Sequence, residues 1–288
     1  MYRQQSLITL DQLYEIKPLT KLESILSFID YSLFEEVFPY DSHKRGPKGY
    51  SKKLLFNTLI AMQIEQLSDI KALVMRLKSD PVLRRSLGYD YIENTPSAAT
   101  LNRFITLLSG TDILGRTFRR MVCKAKKLGL IDGTNVAIDA SKLTSYEHAV
   151  PKSKIPMDDP TFPNWGGKLD TNGNFIKWFG WKMHALVDTY SSLPISYIIT
   201  PANIADVDVA EKLIQKMMDD YKNGLTPKYY MMDAGYDKPE LYSSVYHKYH
   251  GQAIIPINWR NTKIPPEGIN WNGQLVCPMN YAYVYGGN

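Results

Sequence analysis

At 288 residues, 44% of them hydrophobic, the chain is long enough to bury the cores of one large or two modest domains. Met1 to Ser6 lacks the layout of a secretion signal, no run approaches the roughly 18 apolar residues of a membrane span, and two cysteines, Cys123 and Cys277, are too few for a disulfide framework or a self-contained zinc site, so a cytoplasmic protein without a membrane partner is expected. The net charge of +5 is uneven, because residues 1–130 hold 20 Lys or Arg against 13 Asp or Glu while the remainder holds 14 against 16.

Residues 1–130 read as helical throughout. Ser51 is placed to cap a helix through Gln66 with a stripe of Leu55, Leu59 and Met62. Ser68 is expected to start the next, with Ile70, Leu73, Val74 and Leu77 at amphipathic spacing. Asp80-Pro81 supplies a cap and a first-turn proline for a short helix that Gly88 ends. Ser97 opens a helix through about Leu108 that exposes Asn102 and Arg103. Basic charge gathers between Lys44 and Arg85, ten basic residues against three acidic, and between Arg103 and Lys127, seven against one. Such patches suit a polyphosphate, since each neutralised phosphate releases counterions; a solvated helix face is the competing explanation.

From Asn135 the pattern changes. Strands are expected at 134–139, 181–187, 193–200, 228–233 and 252–257, with helices at 206–222 and 238–249. This order gives an α/β (α+β) domain with a mixed five-stranded sheet, antiparallel through its first three strands and joined by crossovers to the last two. The Pro-, Gly-, Asn- and Lys-rich stretch 141–180 reads as a functional loop or an insertion.

Asp139 and Asp233 each close a short apolar run, Thr134 to Asp139 and Lys228 to Asp233. Alone, either is explained as a turn or cap residue. Together, at the carboxyl ends of strands where ligands collect in open α/β sheets, and followed by the small pairs Ala140-Ser141 and Ala234-Gly235, they point to a metal site.

These blocks resemble DDE transposases of bacterial insertion sequences. Gly46 to Ser51, Ser68 to Val74 and Ser97 to Phe104 look like their helical N-terminal domain; Val136 to Ser141, Gly180 to His184, Thr200 to Asp206 and Asp233 to Tyr236 look like their catalytic blocks. The resemblance implies a helical DNA-binding domain over 1–130, an RNase H-like catalytic domain over 131–257, and the start of an inserted segment over 258–288. It implies metal-dependent cleavage and transfer of DNA strands, with Asp139 and Asp233 as the first two acids of a trio holding two Mg²⁺ or Mn²⁺ ions, and with double-stranded DNA and a second copy of the chain as partners. From charge and position, candidate DNA contacts are Lys44, Arg45, Lys48 and Arg103 in the first domain and Lys142, Lys182 and His184 in the second, the last two alternating onto one face of a strand, with a satisfied half-buried histidine the competing explanation of His184.

The trio's third member is a Glu on a helix beyond the fifth strand. The one Glu past Ile257 is Glu267, beside two prolines that forbid a helix interior, so the resemblance implies a chain that stops before the last catalytic block. A non-catalytic DNA-binding remnant is then one alternative, and another RNase H-like nuclease with its third carboxylate at Asp188 is a second. Asp188 and Asp206 are candidate outer helpers, although capping accounts for Asp206. Packing accounts for Trp178, Phe179 and Trp181 better than base stacking does.

Overall fold

The structure, a computed structural model, describes residues 9, 12, 18–39, 49–90, 94–156, 159–169, 172–222, 224–258, 265 and 267–284. It forms two compact units, residues 1–121 and 122–288.

The first unit is helical because its helix starts carry their own hydrogen-bond acceptors. Thr20 and Glu23 form a reciprocal box at α1 (Lys21–Phe28), and α2 (Ser32–Val37) follows. Ser51 caps α3 (Lys52–Ile64), Asp80 and Pro81 open α5 (Pro81–Leu87), left-handed Gly88 closes it, and Ser97 caps α6 (Ala98–Ser109). One start differs from the sequence reading: Asp69, not Ser68, caps α4 (Ile70–Ser79) by accepting from the Ala72 N–H. A carboxylate there also meets the positive end of the helix dipole. The unit ends in α7 (Ile113–Lys127), within which the boundary between the units falls.

Leu33, Leu55, Leu73, Leu77, Leu87, Leu101 and Phe104 fill this unit's core. Each such side chain contributes about 1.5–3 kcal/mol by leaving water. The polar groups among them are satisfied: Asn57 Nδ2 donates to the Leu87 carbonyl at 3.0 Å, the Tyr31 hydroxyl donates to Asn57 Oδ1 at 2.6 Å, and the Thr58 and Tyr89 hydroxyls lie 2.8 Å apart.

The second unit is built on a six-stranded mixed sheet of β1 (Asn135–Thr144), β2 (Asn164–Leu169), β3 (Phe175–Asp188), β4 (Pro194–Pro201), β5 (Tyr229–Met232) and β6 (Gln252–Ile254). β3 is its hub. One edge pairs antiparallel with β1; the other pairs with β2 along its first half and with β4 along its second. β1 then pairs parallel with β5, and β5 with β6. The lateral order β4–β3–β1–β5–β6 is the one expected of an RNase H-like sheet. α8 (Val207–Tyr221) packs on β3 and β4, α9 (Pro239–His247) packs on β6, and the two helices touch. Val136, Ile138, Leu186, Tyr230 and Met232 are buried in the sheet, and Val209, Leu213, Ile214 and Met217 in α8.

The sheet departs from expectation in the 141–180 stretch. β2 lies inside it, which makes six strands rather than five, β1 runs on to Thr144, and β3 begins at Phe175. At Gly180, which pairs with both Thr144 and Asn164, φ is +152° and a Cβ would collide with the Leu143 carbonyl. Only glycine lets the three strands approach so closely. Beyond β6, the segment 267–284 carries two isolated bridges, Ile269 to Leu275 and Val276 to Ala282.

Candidate active site

The register fixes the aspartate pair. The last paired rung between parallel β1 and β5 is Ile138 with Met232, and the next residue on each strand is Asp139 and Asp233. Val136, Ile138, Tyr230 and Met232 are buried and the two aspartates are exposed. Asp139 does not end its strand, as the sequence reading had it; it sits where its β5 neighbour stops and turns away into the 3₁₀ turn Ala234–Tyr236. That departure leaves Asp139 without a paired neighbour on the β5 side.

Neither carboxylate is saturated by protein donors. Asp139 Oδ1 accepts from the N–H of Ala140 at 2.7 Å, and Asp233 Oδ1 accepts from the N–H of Gly235 at 2.9 Å, capping the turn. The free lone pairs are hard oxygen donors, suited to Mg²⁺ or Mn²⁺. Among the described residues no group of three or more His, Cys, Asp or Glu side chains is arranged to hold a metal ion as it stands.

On β3, across from the stretch of β1 just past Asp139, is a second polar group. Lys182 stands opposite Lys142, and His184 opposite Ala140, one rung past Asp139. Lys182 Nζ donates to Asp206 Oδ1 at 2.8 Å and to the Ile204 carbonyl at 2.9 Å. His184 is buried, with Nε2 2.9 Å from Thr200 Oγ1 and Nδ1 3.8 Å from Asp206 Oδ1. Burial holds its imidazole below the usual histidine range, the Lys182 charge adds to this, and the Asp206 charge opposes it. Lys182 and His184 therefore share one side of β3 as their alternation predicts, with their polar atoms turned toward Asp206 and Thr200. Asp206 precedes α8 but makes no side-chain cap bond, so capping does not account for it.

Tyr236 went unmarked among the candidate residues, although it lies in the Asp233 block. It is 1% exposed and its hydroxyl has no hydrogen-bond partner. Burial raises the phenol's pKa, and the charges of Asp206, Asp139 and Asp233 raise it further. The hydroxyl thus lies in the combined field of three carboxylates that come from three separate segments of the chain.

Asp188 does not join them. It pairs with Val136, three rungs from the Asp139–Ala185 pair, and is fully buried. It accepts from the Gly133 N–H at 2.8 Å, the Ser191 N–H at 2.9 Å and the Ser191 hydroxyl at 2.8 Å. The idea of a nuclease with Asp188 as third carboxylate fails on this placement. Glu267 is exposed in a turn, outside any helix. Lys142 is exposed on the continuation of β1 beyond Asp139. Trp178 and Phe179 are buried at 7% and 6% exposure, in keeping with packing rather than stacking on a base.

In the first unit, Lys44, Arg45 and Lys48 lie outside the described residues. Arg103 is exposed on α6, its Nε donating to the Ala99 carbonyl at 3.3 Å. Much of the basic charge of α7 is matched: Arg116 meets Glu36, Arg119 meets Asp112, and Arg120 meets Asp30, each at 2.7 Å. The patch offered to an outside phosphate is thinner than the residue count suggests.

Residues 124–268 match the family model described as the transposase DDE domain, and residues 9–107 match a second, described as a transposase domain. No curated protein matches the chain. Among solved structures, the chain is similar to the piggyBac transposase in a synaptic complex with hairpin DNA, at 11% identity over 84% of this chain and 50% of that one, with a TM-score of 0.37. It is also similar to the Mos1 transposase in a paired-end complex with the left transposon end, at 10% identity over 74% of this chain and 61% of that one, with a TM-score of 0.25. The chain thus spans 50% and 61% of the length of these two proteins.

Proposed function

The chain belongs to the transposase DDE-domain family, and from that premise we propose that it acts on DNA, its helical unit engaging the duplex and its sheet unit cutting and joining strands at Asp139 and Asp233. The observation that carries the reading is the placement of these two exposed carboxylates directly after the last paired rung of adjacent parallel strands.

Asp139 and Asp233 would hold a divalent cation between them, since both keep unused oxygen lone pairs. A bound Mg²⁺ or Mn²⁺ supplies charge stabilisation at phosphoryl oxygens and lowers the pKa of a water or hydroxyl nucleophile. The small residues Ala234 and Gly235 leave room for a phosphodiester beside Asp233, while Lys142, exposed on β1 but on the other face from Asp139 by strand alternation, offers DNA a positive charge away from that phosphodiester. In the first unit Arg103, together with Lys44, Arg45 and Lys48, contributes sequence-independent attraction to the DNA backbone. Joining two DNA ends calls for two such sites, so the working form on DNA is a homodimer.

The test uses the full chain. Mn²⁺ binding, read from the electron paramagnetic resonance signal of the free ion, should be detectable and should weaken by about 100-fold or more in Asp139→Ala and in Asp233→Ala, since a direct ligand counts for at least as much as its outer partners. Duplex binding should survive both substitutions. Unchanged Mn²⁺ affinity in either variant would remove the basis of the proposal.

A further inference from the structure

A hydroxyl that is buried and unbonded calls for an explanation, because almost all such groups in folded proteins find a partner. Tyr236 is 1% exposed, the turn that it closes packs against α8, and its hydroxyl has no hydrogen-bond partner. What surrounds it is negative. Asp233 lies three residues back at the start of the same turn, Asp139 lies on the neighbouring strand, and Asp206 lies just ahead of the helix that packs on the turn. All three act electrostatically on the phenol.

Asp206 is the least ordinary of the three. It stands at a helix start without capping it, and Lys182 holds its carboxylate instead. Beside it His184 is 1% exposed and carries a second buried atom without a partner, Nδ1, at 3.8 Å. Two buried polar groups without partners, converging on carboxylates, make a site prepared for something not supplied by the protein's own donors and acceptors.

We propose that Tyr236 and Asp206 form the outer layer of the cation site at Asp139 and Asp233, Tyr236 as a positioning residue whose hydroxyl orients a ligating carboxylate or its bound water, and Asp206 as an anchored negative charge. This rests on the cation site proposed above. By strand alternation Asp139 points away from the face that carries Lys182 and His184, so Asp206 acts through Tyr236 and not as a third direct ligand. Lys182 keeps Asp206 in place, and His184, neutral under burial, adds no competing positive charge.

Tyr236→Phe provides the test, because it deletes the hydroxyl and keeps the ring. Without metal the variant should melt no lower than the parent, since the hydroxyl has no bond to lose. Its Mn²⁺ affinity, read by the same resonance titration on the full chain, should nevertheless fall about 10- to 100-fold, the usual consequence of removing an outer partner of a metal ligand. Asp206→Asn should weaken Mn²⁺ similarly, and should Asp206→Asn fail to fold, Tyr236→Phe decides alone. Asp208→Asn removes the same formal charge two residues along from an exposed pair with Lys238 and should leave the affinity unchanged. If Tyr236→Phe binds Mn²⁺ like the parent while Asp139→Ala does not bind, this inference is overturned and the cation site stands. If Asp139→Ala also binds like the parent, both readings fall.

Discussion

The β1–β3 ladder carries two aspartates three rungs apart, and the two have opposite surroundings. Asp188 is fully buried and takes three hydrogen bonds from Gly133 and Ser191. Asp139 is exposed and takes one, from the amide that follows it. A carboxylate surrounded by protein donors has little left to offer a ligand; an exposed carboxylate with a single donor keeps oxygen lone pairs for one. Residue type is alike in the two cases, and burial together with the count of donors separates architecture from chemistry.

The largest effect that can break this contrast is on stability. Asp188→Ala should destabilise the sheet unit by roughly 3–5 kcal/mol in a urea titration, since one buried and two part-buried donors lose their acceptor at about 1–3 kcal/mol each, with some recovery through water. Asp139→Ala should change the same titration by about 0.5 kcal/mol or less, as exposed substitutions do. Comparable losses at both positions would erase the distinction drawn here.

Acid should sharpen it. Burial disfavours the charged form of Asp188, but hydrogen bonds from Gly133 and Ser191 outweigh this and hold its pKa below the ordinary 3.8. With the folded-state pKa depressed, the contribution is complete above about pH 4 and is lost as pH falls through the range below it. Unfolding free energy measured from pH 5 to pH 2 should therefore drop in the parent and drop less steeply in Asp188→Asn.

The smallest effect concerns the basic face. Log affinity for duplex DNA should fall linearly with log salt, and Arg103→Ala should reduce the slope by about 1 if its charge neutralises one phosphate. Arg116→Ala, Arg119→Ala and Arg120→Ala should each alter the slope less, since Glu36, Asp112 and Asp30 already engage them. Equal slopes across all four variants would show that ion pairing in the free protein does not decide which arginines reach DNA.

What was legible in the sequence follows the range of the forces involved. Ser51, Ser97 and the Asp80-Pro81-to-Gly88 helix were readable because caps act over two to four residues. The strand order was readable from apolar runs. β2 was not, since Asn164 to Leu169 contains two adjacent glycines and owes its pairing to β3 and not to its own composition. The outer half of β1 was missed for a related reason, because Ser141 to Thr144 is exposed and shows no alternation. Asp139 and Asp233 were found from their position at the close of apolar runs. Asp206 resembled a cap because its partner, Lys182, lies 24 residues away, and nothing local in Asp233 to Tyr236 announces an unbonded hydroxyl.

The parallel pairing of β1 with β5 also sets when the site can exist. β1, β3 and β4 are joined by antiparallel pairing between segments close in sequence, whereas Asp139 and Asp233 stand 94 residues apart and meet only after α8 has carried the chain across to a four-residue β5. Closing so long a loop is entropically slow and is rewarded only once the pairing is complete. Loop closure thus favours the antiparallel pairing over the β1–β5 pairing, and a cation held at the proposed site would report completed topology as well as act as a reagent.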